Sequence, residues 1–359
     1  MAIALEDWMA EHGDKTLGNI HMPGAHDAGT AQGHINKTIL GTESNSGTQK
    51  LTVLGQIKAG TRLFDIRLQK VKKGIFRPVT QVVAYHKTMG QGATSSETFD
   101  DTLAGVANWW KDHTGEVLIF RISHTEADTN IGDLIKGSVP REYLHTGTGN
   151  LCTKTLGDIT RDGGIICILD DGKLGNMVDQ VNGLHRFKKY KNAGITDGIA
   201  VCGQYKTTHK LREVISTGLC AHYEHNTKHN PVQSDHLWHL YWQKTYTNPF
   251  KLGGIKTGTG KDGLYSKGNK EVHGGTHAAT EHMIKLMKGH ARATVKGTEM
   301  KDDYVVGKKD VDGSDIMFST LDARNLMLPN IISYDFVNAK INKQIIALNG
   351  PAAVVLGPD

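Results

Sequence analysis

Six side chains of reactive type fall in short apolar segments: His26 and Asp27 in PGAHD, Asp65 and Arg67 in FDIR, His86 in AYH, and Asp335 in SYDF. Imidazole titrates near neutrality, so one histidine can take a proton from an attacking hydroxyl while a second gives one to a leaving oxygen. The planar fork of an arginine binds phosphoryl oxygens, and a carboxylate on the far ring nitrogen fixes a tautomer and stabilises the imidazolium. Together these parts suffice to cleave a phosphodiester without a metal. The same residues allow a rival chemistry, in which His26, His86, Asp27 and Asp65 form a mixed nitrogen and oxygen metal site. Arg67 opposes it, because two residues from Asp65 on one strand face it brings a fixed positive charge. A single histidine or aspartate at a strand end reads as a helix cap or a surface ion pair; their joint arrival is what points to chemistry.

Something must bring them together. Apolar, β-branched runs recur at 17–23, 61–68, 79–86, 116–123, 164–170, 198–205, 239–246 and 330–337. Several lack strict alternation, as in strands buried on both faces of a parallel sheet. The spacing predicts a helix over 97–111, with Phe99, Leu103, Val106 and Trp110 on one face and Ser95 or Ser96 as cap, and another over 278–292; residues 49–59 and 209–218 also read as helices. Strand and helix in alternation, about eight times, fit an α/β fold of the distorted (β/α)8 TIM-barrel type, with an open doubly wound sheet as the alternative. In a barrel the carboxyl ends of the strands face one mouth. His26, Asp27, Asp65, Arg67, His86 and Asp335 then converge there, with His124, Asp170 and Tyr205 offered by further strands.

The chain has 359 residues, 38% hydrophobic and 22% charged, an ordinary globular balance compatible with one catalytic domain over 1–359. No apolar run reaches the roughly 20 residues of a membrane-spanning helix. A net charge of +5 favours an anionic partner but is low for a nucleic-acid binder, so none is expected. The four cysteines lack CxxC spacing, and Cys167 and Cys202 sit in apolar runs as buried thiols do. The start, MAIALEDWMAEHG, is acidic by position 6 and does not read as a secretory signal, which leaves a cytoplasmic protein or a mature form behind an added Met. Residues 31–48 and 223–236 are polar loops. The Gly- and Lys-rich stretch 251–276 reads as a rim insertion; its Gly258, Gly260 and Gly263 match GxGxxG, but no strand leads into them and no helix follows.

The segments PGAHDAGT, QIKAGTRLFDIR, AYH, EVLIFRIS and NIISYDFVN resemble, in order and spacing, the X-domain pattern of phosphatidylinositol-specific phospholipase C in its bacterial, metal-independent form. The resemblance covers most of 15–345, with its specific motifs in 17–126 and 330–338. It implies a distorted (β/α)8 barrel and cleavage of phosphatidylinositol, or a glycosylated relative, to diacylglycerol and a cyclic inositol phosphate. By that resemblance His26 is the general base, oriented by Asp335. His86 is the general acid, assisted by Asp27, and Arg67 stabilises phosphoryl charge where calcium-dependent relatives have an acidic metal ligand. Asp65 holds Arg67 or His86, and Tyr205 stacks on the inositol ring. The sequence departs from the pattern at head-group positions: Ser123 and Asp170 stand where bacterial members have Lys and Arg, and Gly203 stands where they have Asp. Arg121 and His124 are candidate substitutes. The resemblance implies no cofactor, a monomer, secretion and peripheral contact with a membrane surface; the 251–276 stretch is a candidate for that contact, and Trp238 and Trp242 read as rim anchors or as plain core. Two other functions stay open: a metal-dependent glycerophosphodiester phosphodiesterase on a similar barrel, and a catalytically silent membrane- or sugar-binding barrel.

Overall fold

A computed structural model describes residues 4–37, 47–74, 77–88, 91–125, 130–170, 174–190, 195–203, 205, 235–242, 294–295, 298–299 and 329–350. The expected helices 209–218 and 278–292, the stretch 251–276 and most of 223–236 lie outside these residues.

The strands are β1 (Met22–Ala25), β2 (Ile35–Lys37), β3 (Leu63–Lys73), β4 (Val79–Thr88), β5 (Gln91–Thr98), β6 (Leu118–Ser123), β7 (Ile165–Asp170), β8 (Leu184–Lys189), β9 (Ile199–Cys202) and β10 (Leu237–Tyr241). A two-stranded antiparallel pair, β11 (Thr294–Val295) and β12 (Thr298–Glu299), and β13 (Ile331–Tyr334) complete them. Eight of them pair in parallel in the order β1-β13-β10-β9-β8-β7-β6-β3, and β3 pairs back to β1. That closure makes a barrel.

The count of eight is right, but one member is not the expected one. The run at 79–86 forms β4, which pairs antiparallel with the outer half of β3 and with β5, so it lies outside the barrel wall. The fifth barrel strand is β8, LHRFKK, whose ending in exposed Lys188 and Lys189 hides it from a search for apolar runs. The run at 17–23 is a 3-10 turn over Leu17–Asn19 followed by β1. The loop at 31–48 contains β2, which pairs with β5.

Strand alternation explains the interior. Met22, Leu63, Ile119, Ile166, Ile199, Leu237 and Ile331 belong to one apolar cluster with Leu5, Trp8, Met9 and Leu17 from the amino-terminal segment, which plugs the barrel floor. Two residues further along each strand the side chain points the same way. The inward positions then become Gly24, Asp65, Arg121, Ile168, Val201, His239 and Ser333, and one step higher His26, Arg67, Ser123, Asp170, Gly203, Tyr241 and Asp335. The barrel is therefore apolar at its floor and polar at its mouth. The alternate residues, such as Phe64, Phe120, Cys167, Leu240 and Ile332, join a second apolar cluster with the outer helices.

Those helices are α1 (Val53–Lys58), α2 (Phe99–Trp110), α3 (Ile131–Ser138), α4 (Leu156–Arg161) and α5 (Ala339–Ile346). Each starts at a side-chain cap: Thr52, Thr98, Asn130, Thr155 and Asn338 accept from backbone N–H groups of the first turn. The cap of α2 is Thr98 rather than Ser95 or Ser96, because β5 keeps its ladder through Thr98. Residues 174–183, between β7 and β8, form two 3-10 turns instead of a helix, one source of the distortion. Among the described residues no helix is long and apolar enough to cross a membrane.

One charged pair sits in the floor. Arg62 meets Glu116 through its Nε at 2.7 Å, donates to the carbonyls of Ile57, Thr61 and Glu6, and lies over the ring of Trp8; Glu116 also accepts from the Ala10 amide. Burial pushes the Glu116 carboxyl up, against the pull of Arg62. Each polar atom has its partner, so the pair fastens the plug to the barrel.

Candidate active site

Three mouth residues hold backbone angles that side chains rarely adopt: Asp27 (φ +43°), His124 (φ +50°) and Phe336 (φ +56°). They directly follow His26, Ser123 and Asp335, and they are the non-glycine residues with positive φ among those described. Strain of this kind persists where surrounding contacts over-determine it. Thr48 and Thr30 donate to the Asp27 carbonyl at 2.8 and 3.1 Å. The Gln49 amide donates to the carbonyls of His26 and Tyr334 at 2.9 and 3.2 Å, and its oxygen accepts from the Val337 amide. The Tyr85 hydroxyl donates to the His124 carbonyl at 2.7 Å.

On this frame the predicted residues meet. His26 Nδ1 lies 2.8 Å from Asp335 Oδ1, and His26 Nε2 lies 3.3 Å from Asp27 Oδ2. The same Asp27 oxygen is 3.6 Å from His86 Nε2, while its other oxygen is 3.0 Å from Arg67 Nε. Asp27 thus stands between both imidazoles and the guanidinium. His86 reaches the cluster from antiparallel β4, not from a barrel strand.

Burial sets the charges. It opposes a cation on His26, but the nearby Asp27 and Asp335 carboxylates outweigh it and raise the ring to about 9. Burial lowers His86, and Asp27 does not fully offset this. Burial would raise Asp27, yet His26, Arg67 and His86 together hold its carboxyl below the usual range. For Asp335 burial prevails and the carboxyl goes up, with His26 opposing. The two carboxylates thus favour the cation on His26, and burial favours the neutral ring on His86.

Asp65 was expected to hold Arg67 or His86. Its Oδ1 instead accepts from the Ser123 hydroxyl at 3.2 Å and lies 3.9 Å from Arg121 Nη1, and it is Asp27 that pairs with Arg67. His124 Nδ1 is 3.1 Å from the same Ser123 hydroxyl. Arg121 donates to the Tyr241 hydroxyl at 2.6 Å, pairs with Asp170 at 3.6 Å and lies over Phe187. The Ser123, His124, Asp170 and Arg121 candidates therefore form one polar layer beside the histidine pair. Tyr205 is 41% exposed and stacks on His26 with ring centroids 6.0 Å apart, a surface position at the opening. Trp238 and Trp242 are buried core residues, which removes them as rim anchors.

Gly203 has a physical reason. A Cβ built there would lie 2.2 Å from the His239 carbonyl, and φ is +144°, so no other side chain fits on this backbone. Three residues of the layer escaped the sequence reading: Tyr241, stacked on His239 and touching Tyr205 edge-on; His239, whose Nε2 is 2.5 Å from the Ser333 hydroxyl; and Ser333. Their signal was the inward parity of β10 and β13, Leu237–His239–Tyr241 and Ile331–Ser333–Asp335.

One nitrogen of His26 and one oxygen each of Asp27 and Asp65 lie within 4.8 Å of one another, a spacing that suits a metal ion. Arg67 is already seated on Asp27. The donor set is thus partly neutralised by a fixed cation, which fits a phosphoryl anion better than a divalent ion.

Neither a family model nor a curated protein sequence matches the chain. Solved structures do. The phosphatidylinositol-specific phospholipase C from Listeria monocytogenes superposes with a TM-score of 0.55 at 14% identity, covering 98% of this chain and 100% of that one. The enzyme of that name from Staphylococcus aureus gives 0.57 at 14% identity over 96% and 97%, and a variant of it 0.58 at 14% over 98% of each chain. The chain therefore has the closed (β/α)8-barrel fold of the bacterial phosphatidylinositol-specific phospholipases C.

Proposed function

We propose that the chain is a phospholipase C that acts on phosphatidylinositol, or a glycosylated relative, without a metal. The observation that carries this reading is the single cluster formed by buried His26, Asp27, His86 and Asp335 with half-buried Arg67 beneath the exposed ring of Tyr205. His26 takes the proton of the inositol 2-hydroxyl. The freed oxygen bonds to phosphorus, the bond from phosphorus to the diacylglycerol oxygen breaks, and His86 protonates that oxygen. Arg67 faces the phosphoryl charge. Nucleophile and phosphorus are already joined, which supplies up to about 7–11 kcal/mol of preorganisation.

Before substrate binds, the carboxylates favour the cation on His26 and burial favours the neutral ring on His86, and substrate shifts that balance. A phosphodiester anion beside Arg67 and His86 raises the His86 pKa, and a hydroxyl on His26 Nε2 displaces Asp27 from it. Both changes move the proton toward the acid.

Incubation with phosphatidylinositol and phosphatidylcholine vesicles in EDTA, followed by phosphorus NMR, tests the reading. A five-membered cyclic phosphate from the first lipid alone is the expected result. Activity abolished by the chelator favours the metal route through His26, Asp27 and Asp65. Vesicle binding without product favours a silent barrel.

A further inference from the structure

The outer half of β3 has no part in the chemistry above. Strand β3 continues past Arg67, at the mouth, through Leu68–Lys73, and β4 returns antiparallel from Val79 to the level of His86, with Lys73 opposite Val79 and Leu68 opposite Ala84. At about 3.3 Å per residue this hairpin runs on for about 20 Å beyond the catalytic level. Burial falls off along it: Leu68 and Ala84 are buried, whereas Lys70, Lys72, Lys73, Arg77 and Val79 are exposed, Val79 at 61%. From Ile66 to Ser96 the sequence has six Lys and Arg and no Asp or Glu. Lys70 and Lys72 occupy successive same-face positions of β3, so two like charges stand side by side on this strand. The exposed Val79 lies among them.

We propose that the outer half of the β3–β4 hairpin, through Lys70, Lys72, Lys73, Arg77 and Val79, is the surface by which the barrel mouth rests on an anionic lipid bilayer. This rests on the lipid-cleaving reading and adds to it the element that brings the mouth to the lipid. The hairpin starts at catalytic residues on both of its strands, Arg67 on β3 and His86 on β4. Docking its outer half therefore sets the height of the active site above the membrane. Basic side chains near an anionic leaflet each contribute roughly fivefold to binding, and the contribution falls with salt.

The test uses the full chain and vesicles of phosphatidylcholine with or without phosphatidylglycerol. Binding by sedimentation is expected on the anionic vesicles and to weaken between 0.05 and 0.5 M salt. The double variant K72Q/R77Q is expected to bind them about 25-fold more weakly, and V79D to bind more weakly than native protein, while both cleave a water-soluble inositol phosphodiester at the native rate. Native binding by the double variant, or equal binding of the native protein to neutral and anionic vesicles, overturns the proposal. Failure of the native protein to cleave the soluble diester overturns the catalytic reading instead and leaves the vesicle result to stand by itself. Circular dichroism of both variants checks that weakened binding is not lost folding.

Discussion

Asp335 Oδ1 lies 2.8 Å from His26 Nδ1, although 309 residues separate them in sequence. Both are buried at the mouth of the barrel, and β1 and β13 are adjacent strands in register from Met22 opposite Ile331 to Ala25 opposite Tyr334. Continuing that register by one step sets residues 26 and 335 side by side. The contact therefore follows from barrel closure.

The Asp335→Asn variant keeps the shape of this contact and removes its charge. The His26 pKa should fall from about 9 toward its ordinary 6.5, and turnover should fall by about 10²- to 10⁴-fold. Titration of the His26 ring by NMR, beside the rate, checks it; an unmoved pKa with lost activity would mean that Asp335 acts otherwise than on His26.

Alanine at His26 or at His86 should each lower turnover by about 10²- to 10⁴-fold while leaving the circular dichroism spectrum unchanged. Arg67→Lys should lower it by about 10²-fold, since an ammonium cannot keep the paired geometry of the guanidinium. Substantial activity in either alanine variant overturns the assigned roles.

The raised His26 pKa also has a pH signature. Its folded value, about 9, lies above its ordinary 6.5, so the stabilisation from charged His26 is fully present below pH 6.5 and is lost as pH rises through about 9. Urea unfolding at pH 6, 8 and 10 should show the native protein losing stability relative to His26→Asn over that window. Parallel curves for the two proteins would refute the charge assignment.

Gly203→Asp restores the side chain that the resembled pattern carries at this position, yet it should destabilise the protein by about 2 kcal/mol or more. The new Cβ meets the His239 carbonyl, and the backbone angle is unfavourable for it. The urea midpoint measures this, and a neutral result would show that β9 and β10 can part at the mouth.

Glu116→Gln should cost about 3–5 kcal/mol, because it leaves buried Arg62 without its counter-charge. Replacing both residues by apolar ones of similar volume should cost less. A double variant weaker than the sum of the single variants would contradict the pairing.

Much of the candidate site could be read from short segments. PGAHD, FDIR, AYH and SYDF each carry their reactive residues next to apolar runs, and the structure brings all four segments together. The helix over Phe99–Trp110 announced itself by its apolar face. Other features were hidden for identifiable reasons. Strand β8 ends in exposed lysines, so apolar density misses it, while β4 is apolar because it packs on the flank and not because it closes the barrel. Asp65 has two partners available on the neighbouring β6, and only the parallel register that sets Asp65 opposite Arg121 and Arg67 opposite Ser123 selects them.

The sequence by itself determined which residue types reach strand ends and that strands and helices alternate, because periodicity and capping are local properties of the chain. Only the tertiary structure decided that Asp27 is shared by two imidazoles and a guanidinium, that carboxylates favour a proton on His26 while burial disfavours one on His86, and that position 203 admits glycine alone. Those outcomes depend on distances of a few ångströms and on burial between segments hundreds of residues apart, which arise when the barrel closes.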